Sequence, residues 1–217
     1  IADKVLQAFE TPFLLDDKTL TISPSIGISL YPNDAVDATS LIKYADTAMY
    51  HAKALGRNNF QFYTAELNQY ATRHVLLEAG LKQAIELKEL SLVYQPKFDV
   101  KTEKIIGLEA LLRWHSKELG FISPAEFIPL AEETGMINDI GHWAINQACG
   151  QLAIWHQAGF NHISVAVNLS ARQLKANIIS TIEVALAVSG LPANALELEL
   201  TESMIMGNPE DSVDILT

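Results

Sequence analysis

The chain has little cysteine and no long apolar run. Cys149 is the single cysteine among 217 residues, so an internal disulfide is impossible and a thiolate-rich zinc site is disfavoured. We expect Cys149 to be a small core residue of a helix. No segment has the roughly 18–20 consecutive apolar residues that a membrane helix needs. A strongly apolar stretch, residues 178–188, is interrupted by Ser180, Thr181 and Glu183. The sequence therefore predicts a soluble chain.

Positive charge is also scarce. The chain has 15 Lys and Arg against 26 Asp and Glu, a formal net charge of −11. This balance disfavours binding to DNA or RNA, because a polyanion needs a basic groove that releases counterions. A small dianionic nucleotide needs only local neutralisation, which one divalent metal ion and Arg113 could provide. With 49% hydrophobic and 19% charged residues, the composition is that of a globular protein.

An acid and an arginine interrupt an apolar strand pattern in GLEALLRW, residues 107–114. With a period of two, Glu109, Leu111 and Arg113 share one face of that strand. A face with these charges is not ordinary core. Two interpretations are open: Glu109 and Arg113 form a buried structural ion pair, or the face belongs to a functional site.

Two later strand patterns also carry polar side chains near their ends. ISVAVNLS, residues 163–170, places Asn168 at the end of a β-branched run. LELELTE, residues 196–202, alternates leucines on one face with Glu197 and Glu199 on the other. For Glu197 alone, a solvated position on an edge strand is the favoured interpretation.

These polar residues would meet if the three strands were parallel neighbours in a barrel. Glu109, Asn168 and Glu199 would then converge at the rim where such folds place their chemistry. Carboxylate and amide oxygens are ligands suited to Mg²⁺ or Mn²⁺. The pattern therefore indicates a hard, hydrated metal ion.

Four motifs occur in a characteristic order: EALLRW from Glu109, FIPLAEETG from Phe127, VNLS from Val167 and ELTES from Glu199. Together they resemble the EAL domain, a family of bacterial cyclic di-GMP phosphodiesterases. In that family the paired aspartates and the catalytic lysine lie further along than Thr217. We therefore expect the 217 residues to hold only part of the metal site and to be inactive alone.

The resemblance implies a role for particular residues. They are the metal ligands Glu109, Asn168 and Glu199, the substrate-binding residues Gln95, Leu111 and Arg113, and Glu202, which steadies a catalytic loop. The implied cofactor is Mg²⁺ or Mn²⁺. A divalent ion lowers the pKa of a bound water and neutralises charge on phosphoryl oxygens.

The implied activity is metal-dependent hydrolysis of cyclic di-GMP to linear pGpG in bacterial second-messenger signalling. The expected location is the cytoplasm, with tethering to a membrane through upstream segments left open. A homodimer through the EAL domain is also compatible with the family. Two alternatives stay open: a catalytically inactive cyclic di-GMP receptor, and an interaction scaffold.

A second resemblance covers the beginning of the chain. SIGISLYP from Ser25, YADTAMYHAKALGRN from Tyr44 and FQFY from Phe60 are similar to the C-terminal part of a GGDEF domain, the diguanylate cyclase fold. The signature loop of that family is absent from these residues. We expect Asp46 and Lys53 to lie on the solvated side of an amphipathic helix.

The resulting domain prediction has three parts. Residues 1–63 form the C-terminal part of a GGDEF-like α/β domain, residues 64–90 a helical connector and the start of the EAL domain, and residues 91–217 the N-terminal part of an EAL barrel. A hairpin should open the barrel, so its first strand is antiparallel. Alternating helices and strands then predict a partial TIM-like (β/α) barrel.

Overall fold

A computed structural model describes residues 1–15, 18–174 and 178–200 of the chain. They form two compact units, the first ending at Leu76 and the second beginning at Leu77. Helices and strands occur in both units, which confirms the predicted α/β class. No helix in the described ranges is long and apolar enough to cross a membrane.

The first unit holds short strands and an amphipathic helix. Its elements are α1 (Ala2–Ala8), β1 (Phe13–Leu15), β2 (Lys18–Leu20), β3 (Ser25–Ile28), α2 (Ala38–Ala54), β4 (Asn59–Phe62) and most of α3 (Ala65–Leu81). β1 and β2 pair antiparallel, whereas β3 and β4 pair parallel. Gly27 allows β3 to lie against α2, because a Cβ there would come within 1.8 Å of a backbone oxygen. Asp46 and Lys53 are exposed on α2, as predicted.

The second unit alternates strands and helices after an initial hairpin. Its elements are β5 (Leu90–Phe98), β6 (Ile105–Ser116), β7 (Gly120–Ile122), α4 (Pro124–Thr134), α5 (Ile137–Gln157), β8 (Ser164–Leu169), α6 (Ala171–Leu174), α7 (Ile178–Ser189), a 3-10 turn (Ala193–Ala195) and β9 (Leu196–Leu200). The hairpin and the alternation of helices and strands after it are present as predicted. β7 and α6 were not predicted, because elements of three and four residues carry no clear periodicity.

The sheet of the second unit has the order β5-β6-β8-β9, with β7 paired to β6. β5 and β6 are antiparallel, which confirms the hairpin. β6 pairs parallel with β8, and β8 pairs parallel with β9. This order agrees with a partial (β/α) barrel whose first strand is antiparallel.

Two clusters of buried side chains support this sheet. One joins β8 to α5 and α7 and includes Cys149, which is 1% exposed as expected of a core residue. The other packs Trp114 and Phe127 against the end of α3. Leu77, Leu81 and Ala84 of the connector are buried there, whereas Leu76 is 50% exposed.

The first turn of α4 is closed by the backbone and not by a side-chain cap. Ser123 precedes the helix and Pro124 is its first residue, but the Ser123 side chain makes no capping hydrogen bond. A backbone hydrogen bond from Glu126 N–H to Ser123 O, 2.9 Å long, closes that turn. The helix ends at Gly135, whose φ of 81° suits a glycine.

Candidate functional site

β6 presents two different faces, as its sequence predicts. Ala110 and Trp114 are buried in the two core clusters. Glu109, Leu111 and Arg113 occupy the alternate positions and are half-buried. Because side chains alternate along a strand, these three residues lie on the face opposite the helix-packed core.

Glu109 and Asn168 are in direct contact across neighbouring strands. The Asn168 amide donates from Nδ2 to Glu109 Oε1 over 2.7 Å. Parallel pairing of β6 with β8 places Glu109 opposite Ala166, so Asn168 lies two residues further along β8. The predicted meeting of these two side chains therefore occurs, and it joins strands that are 59 residues apart in sequence.

Glu199 lies at the same level of the next strand. Parallel pairing places Asn168 directly opposite Glu199. Directly paired residues present their side chains on the same face, so Glu199 shares the face of Asn168 and Glu109. Asn168 and Glu199 are thus at one level, and Glu109 lies on the same face of the adjacent strand, offset by two residues.

A lysine from β5 also reaches this group. Lys97 Nζ contacts Glu199 Oε1 and lies 3.2 Å from Glu197 Oε2. Hydrogen bonding to Glu199 is the main reason that the pKa of Lys97 is raised. The Lys97 ammonium therefore stays protonated near neutral pH and supplies a positive charge at the carboxylates.

Glu197 has a second partner in Ser164, at the start of β8. The Ser164 hydroxyl donates to Glu197 Oε1 over 2.6 Å, and this bond is the main reason that the Glu197 pKa is lowered. The Glu197 side chain is 50% exposed, in agreement with the solvated position expected for it. Sequence reasoning nevertheless missed its bonds with Ser164 and Lys97.

The three predicted substrate-binding residues lie on the same face of the hairpin. Antiparallel pairing places Gln95 opposite Glu109, Leu111 opposite Val93, and Arg113 opposite Ser91. The Arg113 guanidinium donates from Nη1 to the Leu112 carbonyl over 2.8 Å. No ion pair joins Arg113 to Glu109 in the ranges that the structure describes, so the structural ion pair is not formed there. Glu202 lies outside the described residues.

The loop after β8 is anchored to two helices. Ser170 N–H donates to Gln173 Oε1 over 2.8 Å, and the Ser170 hydroxyl donates to Glu132 Oε1 over 2.7 Å. Gln173 is 2% exposed and lies against Gly141 of α5. These contacts hold the end of the strand that carries Asn168. The Glu132 carboxylate thus has a hydrogen-bond partner in this loop.

The donor set fits a hard divalent cation. Within the described ranges, no group of three or more His, Cys, Asp or Glu side chains is assembled as a metal site. Glu109 and Glu199 supply two carboxylates, and Asn168 supplies an amide oxygen in addition. A cation, the Lys97 ammonium, already lies against Glu199. Oxygen donors around a position that attracts positive charge are suited to Mg²⁺ or Mn²⁺.

Comparison with known families assigns both units. Residues 78–216 match the family described as EAL domain, and this range covers most of the chain. The chain belongs to the EAL domain family. Ahead of the EAL domain, residues 1–59 match the family described as Diguanylate cyclase, GGDEF domain. Both resemblances that the motifs indicated are confirmed.

Curated relatives of this EAL chain come from several bacteria. The signaling protein YkoW of Bacillus subtilis is 42% identical over 218 residues, covering 100% of this chain and 27% of YkoW. The bifunctional diguanylate cyclase/cyclic di-GMP phosphodiesterase MucR of Pseudomonas aeruginosa is 40% identical over 217 residues, covering 100% of this chain and 32% of MucR. The chain thus spans about a third or less of the length of these relatives.

Solved structures of EAL domains share the fold of the second unit. The PaMucR phosphodiesterase in complex with c-di-GMP superposes with a TM-score of 0.62 at 42% identity, covering 65% of this chain and 57% of that chain. The EAL enzyme Bd1971, bound to cAMP and cyclic-di-GMP, gives a TM-score of 0.61 at 34% identity, covering 68% and 41%. EAL domains are TIM-barrel-like, so the predicted partial TIM-like barrel is confirmed.

Proposed function

We propose that the protein containing this chain hydrolyses cyclic di-GMP to linear pGpG. Water adds across one phosphodiester bond: the bond from phosphorus to one ribose 3′ oxygen breaks, leaving a 5′-phosphate and a 3′-hydroxyl. The observation that carries the proposal is the placement of Glu109, Asn168 and Glu199 on one face of three adjacent strands, with Asn168 bonded to Glu109 and paired with Glu199. The relatives MucR and NbdA, named as cyclic di-GMP phosphodiesterases, support the choice of substrate.

Glu109, Asn168 and Glu199 would hold a Mg²⁺ or Mn²⁺ ion through their oxygen atoms. When bound, such an ion lowers the pKa of water and offsets negative charge on the phosphoryl oxygens. Glu109 and Glu199 act as ionised ligands in this scheme, because a neighbouring cation favours the charged form of a carboxyl group. Neither residue is therefore assigned as the general acid or base.

Arg113 and Gln95 would bind and orient the nucleotide. The planar guanidinium of Arg113 can hold two phosphate oxygens at once, which a single ammonium cannot do. In the structure this guanidinium donates to the carbonyl of the preceding residue, Leu112. Leu111 lies between Glu109 and Arg113 on the same face and provides an apolar contact for the ligand. Glu202 remains a predicted loop-stabilising residue.

The charge of the chain supports a small ligand over a nucleic acid. A net charge of −11 repels a long polyanion. A metal ion and Arg113 are sufficient to attract a dianion at one site. We also assign the protein to the cytoplasm and allow for a homodimer through the EAL domain, because both fit a second-messenger enzyme of this family.

Chromatography of the reaction mixture tests the proposal. A protein containing the complete EAL domain is incubated with cyclic di-GMP and Mg²⁺ or Mn²⁺, and the appearance of pGpG is followed over time. Product formation is the expected result. Binding of cyclic di-GMP without product would instead identify a receptor, and absence of binding by a folded protein would identify a scaffold.

A further inference from the structure

Lys97 lies between two carboxylates, although one is enough to neutralise its charge. Its Nζ atom contacts Glu199 Oε1 and lies 3.2 Å from Glu197 Oε2. Of these two acids, only Glu199 belongs to the predicted ligand set. Glu197 is therefore an additional partner for the same ammonium.

Glu197 is held in place from the side opposite Lys97. Ser164 donates to Glu197 Oε1, while Lys97 approaches Oε2. The neighbouring strand leaves room for the Ser164 hydroxyl, because a Cβ at Gly107 would lie only 2.8 Å from Ser164 Oγ. This arrangement fixes the Glu197 carboxylate whether or not Lys97 also binds Glu199.

A divalent ion and the Lys97 ammonium compete for Glu199. Both need the electron pairs of its carboxylate, and two cations at one carboxylate repel each other. Lys97 has a fixed alternative acceptor in Glu197, so it can leave Glu199 without losing its ion pair. Removing the last partner of a partly buried ammonium would otherwise be costly.

We propose that Lys97 is a positioning residue that holds Glu199 in the metal-free site and moves to Glu197 when a divalent ion binds Glu199. This inference rests on the proposed metal-binding role of Glu199. No proton is transferred and no covalent bond changes. In the metal-free protein, Lys97 keeps Glu199 from being repelled by its acidic neighbours. In the loaded protein, Glu197 holds Lys97 away from the ion.

The proposal predicts opposite effects for its two partners. Lys97→Met keeps most of the side-chain stem but removes the competing cation, so Mn²⁺ should bind about tenfold more tightly. Glu197→Gln removes the alternative acceptor and leaves Lys97 dependent on Glu199, so Mn²⁺ should bind about tenfold more weakly. A tighter ion site is informative, because a general loss of structure could only weaken binding.

A double variant distinguishes two explanations: Lys97 moves from Glu199 to Glu197, or Lys97 and Glu197 each affect the ion independently through their own charge. If Glu197 acts by accepting Lys97, then Glu197→Gln has no further effect once Lys97 is already Met. If each side chain acts only through its own charge, the two effects add in the double variant. Lys104→Met, an exposed position of the same hairpin, is the matched control and should leave the Mn²⁺ affinity unchanged.

The experiment is a Mn²⁺ titration of a protein containing the complete EAL domain, followed by electron paramagnetic resonance without nucleotide. The exchange is supported if Lys97→Met binds Mn²⁺ more tightly than the wild type and if the double variant binds Mn²⁺ with the same affinity as Lys97→Met. Unchanged or weaker binding by Lys97→Met, or additive effects, would overturn it. If Lys97→Met does not fold, Lys97→Gln carries the same expectation. If the folded wild-type protein binds no Mn²⁺, the proposed metal site is refuted together with the exchange. If the wild type binds Mn²⁺ and the Lys97 variant binds it with the same affinity, only the exchange is refuted.

Discussion

The amide of Asn168 donates to Glu109 over 2.7 Å and so links β8 to the middle of β6. In this pair the amide N–H of Asn168 donates a hydrogen bond to one oxygen of the Glu109 carboxylate. An ionised carboxylate at position 168 has no proton to donate. Asn168 thus offers a donor to its neighbour and keeps an oxygen for a cation.

Asn168→Asp should make the stability of the folded protein more dependent on bound metal. The substitution replaces the hydrogen bond to Glu109 by repulsion between two carboxylates. We expect the metal-free protein to lose about 1 kcal/mol of stability, a value reduced by the exposure of the pair. Added Mn²⁺ should then raise the melting temperature more than it does in the wild type, because the ion binds only the folded state. Differential scanning fluorimetry with and without Mn²⁺ measures both effects, and an unchanged metal-induced rise would contradict the prediction.

Glu89 stabilises the turn that follows β6. Its buried carboxylate accepts from Trp114 Nε1–H over 3.2 Å and from Lys117 N–H over 3.0 Å. Glu89→Ala leaves both donors without this acceptor and should lower the free energy of unfolding by about 2–3 kcal/mol. Urea denaturation monitored by tryptophan fluorescence measures the change. Glu86→Ala, at an exposed position nearby, should have little effect.

The stabilisation by Glu89 should also depend on pH. The Lys117 N–H is the main reason that the pKa of Glu89 lies below its ordinary value of 4.5. A carboxyl whose pKa is lower in the folded state contributes its full stabilisation above the unfolded pKa and loses it as the pH falls through the folded pKa. The stability difference between wild type and Glu89→Gln should therefore shrink below pH 4.5. A difference that is constant from neutral to acid pH would contradict this assignment.

Two glycines of α5 should respond oppositely to alanine. At Gly141 a Cβ would lie 1.7 Å from Gln173 Nε2, whereas at Gly150 nothing lies within 4 Å. Gly141→Ala must displace the Gln173 side chain that accepts from Ser170, and we expect a loss of about 1–2 kcal/mol. Gly150→Ala should stabilise the helix by about 0.5–1 kcal/mol. Thermal unfolding of the two variants tests the contrast, and a loss of stability at both positions would refute it.

The sequence was sufficient to predict which side chains share a strand face where the relevant signal was local. Strand periodicity placed Glu109, Asn168 and Glu199 on strand faces, and short connections through helices predicted that the strands are parallel. The bonds of Lys97 could not be predicted in this way. They depend on the pairing of β5 with β6, of β6 with β8 and of β8 with β9, which brings Lys97 to acids about 100 residues away in sequence. The bonds of Glu197 with Ser164 and Lys97 were missed for the same reason.

Arg113→Lys tests the proposed phosphate contact. A lysine keeps the charge but loses the planar pair of donors, so we expect the KM for cyclic di-GMP to rise about tenfold with a smaller change in kcat. Arg57→Lys, in the first unit, is a matched control for the same chemical change. Steady-state kinetics of pGpG formation gives both constants. An unchanged KM would show that Arg113 does not bind the phosphate.

The most direct measurement of the central claim compares pGpG formation by wild type and Glu109→Ala. Both proteins contain the complete EAL domain and are stripped of metal, then supplied with Mn²⁺ and cyclic di-GMP. Wild type should regain activity on addition of Mn²⁺, and Glu109→Ala should be slower by at least about 100-fold, because it lacks a ligand of the ion. Glu118→Ala, an exposed acid after the same strand, should match the wild type. Equal rates for a folded Glu109→Ala and the wild type would contradict the assignment of Glu109 to the metal site.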